Sequence, residues 1–498
     1  MDMEKKVDEK SFIKLGFIYS IGQVLMKAVY FILLPVYTRK LGTEAFGELA
    51  LVNTLFSLIS VFLVLGVCSG YVRFYREYDG DDRRVLRGTT LVFYLTMTCL
   101  DILFLLTVGK YVANLTSNLD NPFKIITLIV LRGLVNQYIS LFICEYKLEY
   151  NAKKDVVLNL LRLVLNLCLI IFYVVLREQE IIGIYKGYLL GDVLILIYLI
   201  KDNYKKFELR FNLKMLREML TFSGGLIPGC ISDTVLNLSD RYFLTSYLSF
   251  SITGIYSIGY NFGRLIEPIF LTPFKNIFIP YKFQIWKDKE AEMKLNNMFG
   301  QYHIIGCFVM LGIAVYSKFV ISIFTTPEYI DAYKIVPLVV FSYFLYGKTA
   351  FYCLGIQIRN KTYLSSIIMI IAGISNIILN MFLIPRYGMA GAAIATLLSY
   401  GIMNLIYLKV SVPLYHVKFR FSNMYRLYLV VLSLYSIYYI VSIRGYSLFI
   451  EFMVGLLVLT AYVSLLVVFK LVTINQLEEL LKHIRNKLRK AEGERRSI

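Results

Sequence analysis

Residues 239–268 decide the fold; they read SDRYFLTSYLSFSITGIYSIGYNFGRLIEP. This stretch is typical of the end of one membrane helix, a very short turn and most of the next helix. It places four charged side chains in or beside sequence at lipid depth, where charge is costly and usually functional. These side chains are Asp240, Arg241, Arg264 and Glu267. A hairpin of the same pattern lies near the N-terminus, so the stretch predicts a repeated membrane fold with charges inside it.

The composition places the whole chain among membrane proteins. Its 498 residues are 58% hydrophobic and 17% charged, whereas a soluble domain carries about 25% charged residues. The apolar residues form blocks of about 20, the length that an α-helix needs to cross the hydrocarbon core. We count fourteen blocks and predict an all-α membrane protein with fourteen transmembrane helices. The blocks start near Ser11, Thr43, Gly88, Asn121, Asp155, Glu180, Met219, Ser251, Asn296, Asp331, Thr362, Gly388, Met424 and Gly445.

The placement of Lys and Arg predicts the orientation in the membrane. Most of the 53 Lys and Arg residues lie beside the termini or in the segments between even-numbered and odd-numbered blocks. Cytoplasmic loops carry an excess of these residues, so both termini should be cytoplasmic. Much of the net charge of +19 is then explained by topology and by contact with anionic lipids. Binding of nucleic acid is not expected.

Four predicted outer hairpins share a tight turn followed by a glycine that opens the next helix. The glycines are Gly47, Gly183, Gly254 and Gly391. The offset between the first and the third also pairs Thr38 with Thr245, and the offset between the second and the fourth is one residue longer. The simplest cause is two six-helix lobes in parallel orientation, related by pseudo-twofold symmetry, as in some transporters.

The repeat divides the chain into five predicted segments. They are an N-lobe of helices 1–6 at 11–200, a basic cytoplasmic linker at 201–218, a C-lobe of helices 7–12 at 219–411, two extra helices, 13 and 14, at 424–470, and a cytoplasmic tail at 471–498. The tail carries leucines on one helical face with Lys and Arg around them, as in an amphipathic helix that lies on the membrane surface. A solvated helical tail is the alternative.

Polar residues recur at helical spacing in several blocks, and lipid does not tolerate such a face. A water-filled cavity between the lobes would accommodate them. The intramembrane bases are Lys27, Arg132, Arg162, Arg241, Arg264 and Lys348, and the acids are Asp101, Asp192, Asp233, Asp240 and Glu267. Because the two signs nearly balance, structural pairing is an alternative to a functional role at each position; Arg264 and Glu267, three apart, can neutralise each other. Lys27 and Arg264 lie near mid-helix in equivalent places and are the favoured functional pair.

Other site classes find no support in the sequence. The seven Cys and three His residues lack the spacing of metal ligands, so no metal site is predicted. Gly347, Lys348 and Thr349 resemble the end of a phosphate-binding P-loop, but Ser342 replaces the glycine that this motif needs. Enzymes that polymerise or ligate sugars generally need a large outer loop, and the longest outer segment, about 110–121, is too short for one. We therefore expect no enzyme activity.

A resemblance to the Wzx-type polysaccharide flippases extends over most of the chain. It is clearest in FILLPVYTRKLGTEAFGELALVNTL (31–55), LNLSDRYFLTSYLSFSITGIYSIGYNFG (236–263) and NMFLIPRYGMAGAAIATLLSY (380–400). That family belongs to the multidrug/oligosaccharidyl-lipid/polysaccharide (MOP) exporter superfamily, together with a peptidoglycan-lipid flippase and multidrug exporters. The motifs are diffuse and specify the family better than the substrate.

The resemblance implies a multi-pass protein of the bacterial inner membrane that takes part in surface polysaccharide biosynthesis, such as that of O-antigen or capsule. Such a protein moves undecaprenyl-pyrophosphate-linked oligosaccharide from the cytoplasmic to the outer leaflet by alternating access. It needs no cofactor beyond a coupling H+ or Na+. It would act as a monomer, beside a polysaccharide polymerase and chain-length proteins.

The resemblance also implies a cationic cavity that suits a pyrophosphate, since buried cations replace the water that phosphates lose. The residues that could bind substrate are Lys27, Arg132, Arg241, Arg264 and Lys348, and those that could hold the coupling ion are Asp233 and Glu267. A multidrug or cation antiporter is the alternative function. It would place acids toward the cavity and pair the bases away from it.

Overall fold

The computed structural model describes residues 9–64, 67–107, 109–111, 121–149, 151–225, 227–415 and 417–469. Side chains are described from residue 33 onward, except at 61–64, 152, 422 and 423. Within these ranges the regular structure is entirely helical, and ten helices are long and apolar enough to cross a membrane. The chain is therefore an all-α, multi-pass membrane protein. The count of fourteen helices, the lobe boundaries and the orientation stay predictions, and the predicted tail at 471–498 lies outside the described residues.

The described chain contains sixteen α-helices of five or more residues. They are α1 Glu9–Val64, α2 Val67–Phe74, α3 Gly80–Thr107, α4 Pro122–Leu148, α5 Ala152–Ile171, α6 Glu180–Asn203, α7 Leu213–Gly224, α8 Ile227–Tyr247, α9 Phe250–Gly263, α10 Thr272–Ile285, α11 Ala291–Phe324, α12 Val336–Tyr352, α13 Leu354–Ile358, α14 Tyr363–Val410, α15 Ser422–Ile443 and α16 Leu448–Val468. Within the predicted linker 201–218, α6 continues to Asn203 and α7 begins at Leu213.

Two of the longest helices are each divided by one glycine. Gly42 in α1 has φ 67° and Gly388 in α14 has φ 56°, a left-handed backbone that glycine adopts at little cost. These positions coincide with the predicted starts of the second and twelfth blocks. Each long helix is therefore two arms joined by a sharp turn, which keeps neighbouring arms close.

The opening stretch of the sequence forms the predicted hairpin. Helix α8 ends at Tyr247 and α9 begins at Phe250. The Ser249 side chain accepts a hydrogen bond from the Ile252 amide, 3.2 Å away, and so caps the new helix. Beyond α9 lies one π-helical turn, Glu267–Leu271, where Pro268 has no amide hydrogen to donate. Turns of this kind are frequent at functional sites.

The two repeat-related hairpins pack against each other at the predicted outer end. A Cβ atom at Gly47 would overlap the carbonyl oxygen of Phe250, and one at Gly254 would overlap that of Thr43. The hydroxyl of Ser251 donates to that of Thr43 at 2.8 Å. The contact is reciprocal, because each glycine admits the backbone of the other hairpin. Only residues without a Cβ allow this approach.

A buried ion pair attaches the two helices outside the repeat to α11. Lys318 Nζ donates to Glu451 Oε1 at 2.6 Å and to the Ser442 carbonyl at 2.9 Å. Glu451 is 1% exposed. Because Lys318 is on α11 while Ser442 and Glu451 are on α15 and α16, one ammonium joins three helices.

Replacing Lys318 by methionine is expected to destabilise the protein by about 3–5 kcal/mol, because it leaves a buried carboxylate without a partner. The double variant Lys318→Met/Glu451→Gln should recover most of that loss. Unfolding of the purified protein in detergent measures both. The matched control is Lys334→Met, since the pair with Asp331 is about half exposed and such pairs contribute about 0–1 kcal/mol. Equal stability of Lys318→Met and Lys334→Met would contradict the prediction.

Candidate functional site

A cavity of about 220 Å³ lies between the predicted lobes. Its polar lining comes from both: Asn53 on α1 and Tyr188 on α6 face Arg241 on α8, and Ser257 and Asn261 on α9. Leu49 and Phe46 from the second arm of α1 supply part of the apolar lining. An amphipathic cavity of this kind can hold a ligand that carries hydroxyl groups and an anionic group.

Arg241 reaches this cavity, and its charge is balanced. Its Nη1 donates to Asp240 Oδ1 and to the Asn237 carbonyl, both at 2.7 Å. The hydroxyl of Tyr256 donates to the second oxygen of Asp240. The guanidinium lies 4.2 Å from the centre of the Tyr260 ring. Substrate binding by Arg241 stays a prediction, and the alternative, structural pairing with its neighbour Asp240, is observed.

The N-lobe wall contains two arginines that share one carboxylate. Asp192 has a side chain that is 0% exposed; Arg162 Nε donates to its Oδ1 at 2.6 Å, and Arg132 Nε lies 3.6 Å from its Oδ2. Arg162 also donates to Asn136 Oδ1 at 2.9 Å. These charges sum to one net positive charge within the wall.

Arg132 connects this charge to the cavity. Its guanidinium lies 3.8 Å from the centre of the Tyr188 ring and 4.8 Å from that of Phe56, and Tyr188 lines the cavity. Arg132 Nε has no hydrogen-bond partner in the described part of the chain. Sequence reasoning included Arg132 among the site residues, but it gave Asp192 no role beyond that of an intramembrane acid and did not single out Tyr188. No local spacing links them, because they meet only when α4 and α6 pack together.

The C-lobe collects a second set of predicted site residues. Arg264 Nε donates to Glu267 Oε2 at 2.8 Å across the π-helical turn. Asp233 on α8 interacts electrostatically with Arg264, Glu267 and Lys275. Lys275 lies 4.3 Å from the centre of the Tyr346 ring. The prediction missed Lys275, because α10 continues past the apolar block that defined the eighth span.

A tyrosine cluster holds this part of the C-lobe together. Asn237 Oδ1 accepts hydrogen bonds from Tyr343 at 2.8 Å, Tyr400 at 3.1 Å and Tyr260 at 3.2 Å. These hydroxyls come from α12, α14 and α9 and converge on one amide of α8. The cluster fixes the relative positions of these four helices, of which α8 carries Asp233 and Arg241 and α12 carries Lys348.

One predicted residue, Lys348, stands apart from the cavity. Lys348 lies near the rings of Phe344 and Tyr428, on the face of α12 away from Tyr343 and Tyr346. Lys27 falls outside the residues whose side chains the structure describes. In the part of the chain that is described, no three His, Cys, Asp or Glu side chains are placed to hold a metal ion.

The two predicted lobes also contact each other at the predicted inner end, through α2 and α7. The Gly70 amide of α2 donates to Ser223 Oγ of α7 at 3.1 Å. Beyond α2, the Tyr78 hydroxyl donates to Glu218 Oε2 at 2.7 Å. This carboxylate raises the pKa of Tyr78 to about 12. With Gly47 and Gly254 meeting at the other end, the lobes touch on both sides of the cavity.

A multi-pass bundle with a polar cavity between two sets of helices has the architecture of a membrane transporter. The chain belongs to the polysaccharide biosynthesis protein family, which it matches over residues 12–286, more than half of its length. The resemblance found in the sequence is confirmed at the level of family and fold.

Three similar proteins define this relationship. An uncharacterized membrane protein of Methanocaldococcus jannaschii is 22% identical over 410 residues, which are 75% of this chain and 80% of that protein. The solved lipid II flippase MurJ, in an inward closed conformation, has a TM-score of 0.72 and 18% identity over 91% of this chain and 99% of its own. An inward-facing multidrug resistance MATE transporter of the MOP superfamily has a TM-score of 0.61 and 12% identity, covering 78% of this chain and 94% of its own. The fold is therefore that of the MOP superfamily.

Proposed function

We propose that the protein is a flippase that moves undecaprenyl-pyrophosphate-linked oligosaccharide from the cytoplasmic to the outer leaflet for surface polysaccharide export. It works by alternating access and is coupled to a cation gradient. The family match and the MurJ-like fold support a transporter of polysaccharide biosynthesis. The location is the bacterial inner membrane with cytoplasmic termini, where a polymerase and chain-length proteins would receive the product.

The observation that carries the proposal is the surplus of positive charge in the N-lobe wall. Arg132 and Arg162 face one carboxylate, Asp192, so one guanidinium charge remains without a counter-charge in that group. A pyrophosphate supplies this counter-charge and can bind a guanidinium bidentately. Arg132 is the better placed of the two, because its stacking partner Tyr188 lines the cavity.

The cavity lining suits the sugar part of the same substrate. Asn53 and Asn261 line the cavity with amide groups, and Tyr188 adds an aromatic ring and a hydroxyl. The volume of about 220 Å³ is below the roughly 300–1,000 Å³ of ligand pockets. The lobes must therefore part to admit an oligosaccharide, first at the inner and then at the outer end.

Coupling is assigned to the C-lobe acids. Asp233 and Glu267 face the two cations Arg264 and Lys275, so binding of H+ or Na+ would change the balance of this group. Arg264 is released from Glu267 when the acid binds the ion, and it then becomes available to the phosphates. The group lies at the Pro268 break, where a change in charge can alter the bend between α9 and α10.

The arrangement of the acids argues against a multidrug or cation antiporter. Such a protein needs acidic groups exposed to the cavity for its cationic substrate. Asp240 is 1% exposed and bound to Arg241, and Asp192 is bound to Arg162. Among the described residues, the bases rather than the acids are in excess around the cavity.

Loss of the gene should cause undecaprenyl-linked sugars to accumulate in the host, and wild type should reverse this. Arg132→Gln should lower transport roughly 10- to 100-fold, the loss expected for a charged hydrogen bond of about 1.5–3 kcal/mol. Arg264→Ala and Lys27→Ala test the other predicted binding residues. The readout is the pool of lipid-linked sugar extracted at equal expression of each variant.

Arg444→Gln is the matched control, because Arg444 is exposed and distant from the cavity. Normal pools of lipid-linked sugar in the deletion strain, in the absence of a redundant carrier, would overturn the flippase. Full rescue by Arg132→Gln would leave the flippase standing and remove Arg132 from its site.

A further inference from the structure

A second group of basic side chains lies behind the tyrosine cluster, between α11, α12 and α15. Lys348 is 8% exposed and His303 is 1% exposed. The Lys348 ammonium lies 5.4 Å from the centre of the Phe344 ring and 5.0 Å from that of Tyr428. The His303 ring centre lies 5.5 Å and 5.8 Å from the same two rings. Two bases therefore share one aromatic enclosure.

No carboxylate in the described chain pairs with either base. Cys307 on α11 interacts with Lys348, and the titratable groups around Cys307 and its neighbour Tyr428 on α15 are Tyr302 on α11, Tyr352 on α12 and Tyr462 on α16. None of these is an acid that is ionised at neutral pH. A single unpaired charge is costly in such an interior, and two adjacent positive charges would repel each other as well. The enclosure therefore admits one positive charge.

The hydrogen bond of His303 determines which of its ring nitrogens can still accept a proton. His303 Nδ1 lies 2.7 Å from the Phe299 carbonyl. A carbonyl can only accept, so Nδ1 carries the proton and Nε2 of the neutral ring is an acceptor. Nε2 is buried and has no partner in the described chain, and neither has the Tyr428 hydroxyl. Nε2 can therefore take up a proton or accept a hydrogen bond from an ammonium, but it cannot donate to an anion.

We propose that Lys348 and His303 form one proton-binding site, in which two buried bases share a single excess proton. The site is separate from the cavity residues and from Asp233 and Glu267. The site also contacts α15, one of the two helices outside the repeat, through Tyr428. A charged Lys348 attracts the Tyr428 ring, and this attraction disappears when the amine is neutral. Proton binding therefore tightens α15 against α11 and α12.

The link to transport rests on the proposed function. If the chain is a flippase that changes shape during each cycle, proton release here loosens the packing of the extra hairpin. Lys348 would then act on coupling rather than on the pyrophosphate. The proton site itself does not depend on the identity of the substrate.

Histidine NMR tests the site directly, because the chain contains only three histidines. The full chain, labelled with ¹⁵N-histidine and placed in lipid nanodiscs, is titrated from about pH 5 to 8, the range in which histidine changes charge. His303→Gln identifies the His303 signal. We expect a neutral ring protonated at Nδ1 in wild type. In Lys348→Met the proton affinity of His303 should rise at least 10-fold, because the neighbouring positive charge is gone.

Two controls separate charge from packing. Lys348→Arg keeps the charge and should leave the His303 titration unchanged, and Lys334→Met removes an exposed lysine and should do the same. An equal proton affinity of His303 in wild type and Lys348→Met would overturn the shared site. Failure of wild type to reverse lipid-linked sugar accumulation would instead overturn the proposed function, so the two failures are distinguishable.

Discussion

Replacing Gly254 by valine is expected to lower transport strongly. The new side chain would overlap the carbonyl oxygen of Thr43, so the two hairpins could no longer meet at the predicted outer end. Overpacking of a close contact costs about 1–3 kcal/mol, which lowers the population of the closed state roughly 5- to 150-fold. Gly47→Val should have the same effect, because the contact is reciprocal. Complementation of the deletion strain measures the loss.

The state of the contact can be read independently by cross-linking. The Thr43 and Ser251 hydroxyls are 2.8 Å apart, so cysteines at these two positions should form a disulfide when the native cysteines are replaced. Gly254→Val should abolish this cross-link. Gly401→Val is the matched control, since a Cβ at Gly401 on α14 meets nothing within 4 Å. Normal cross-linking and full complementation by Gly254→Val would show that this contact is not needed.

The Gly47–Gly254 contact also shows what the sequence could predict. The offset between the two glycines identified them as equivalent, and the apolar blocks located most helix starts within a few residues. Both signals are local, because block length is set by the bilayer and a tight turn needs glycine nearby. The contact between the two equivalent glycines depends on how the two halves pack. No local sequence pattern predicts that packing.

For the charged residues, the sequence predicts pairs within one helix but not pairs between helices. The pair of Arg264 and Glu267 was predictable, because residues three apart lie on the same helical face. The grouping of Arg132, Arg162 and Asp192 was not, because it joins α4, α5 and α6. The total numbers of acidic and basic residues do not predict which basic side chain has no acidic partner.

The direction in which a side chain points could not be predicted from the sequence either. Lys348 was predicted to bind substrate as one of the bases inside the membrane spans, and this role stays a prediction. The structure places it on the face of α12 that carries Phe344 and packs against Tyr428 of α15, and it is not among the residues that line the cavity. A lysine in mid-span predicts a polar environment, and only the packing of neighbouring helices identifies which one.

Asp192→Asn is expected to destabilise the protein by about 3–5 kcal/mol, because it leaves two arginines in the wall without their shared counter-charge. Arg162 loses its 2.6 Å partner and Arg132 its 3.6 Å partner, so wild-type transport should be lost as well. Unfolding in detergent and complementation at equal expression measure the two effects. A stable, fully active Asp192→Asn would show that the carboxylate is not needed as a counter-charge.

Two double variants then separate charge from position. Asp192→Asn/Arg162→Gln and Asp192→Asn/Arg132→Gln both restore the net charge of the wild-type group, so both should recover stability. Only the first keeps the guanidinium that lies 3.8 Å from the centre of the Tyr188 ring. If that group receives the pyrophosphate, Asp192→Asn/Arg162→Gln should regain transport and Asp192→Asn/Arg132→Gln should not. Equal recovery by both would mean that the cavity needs the charge but no particular arginine, because a Coulomb interaction acts at longer range than a bidentate hydrogen bond.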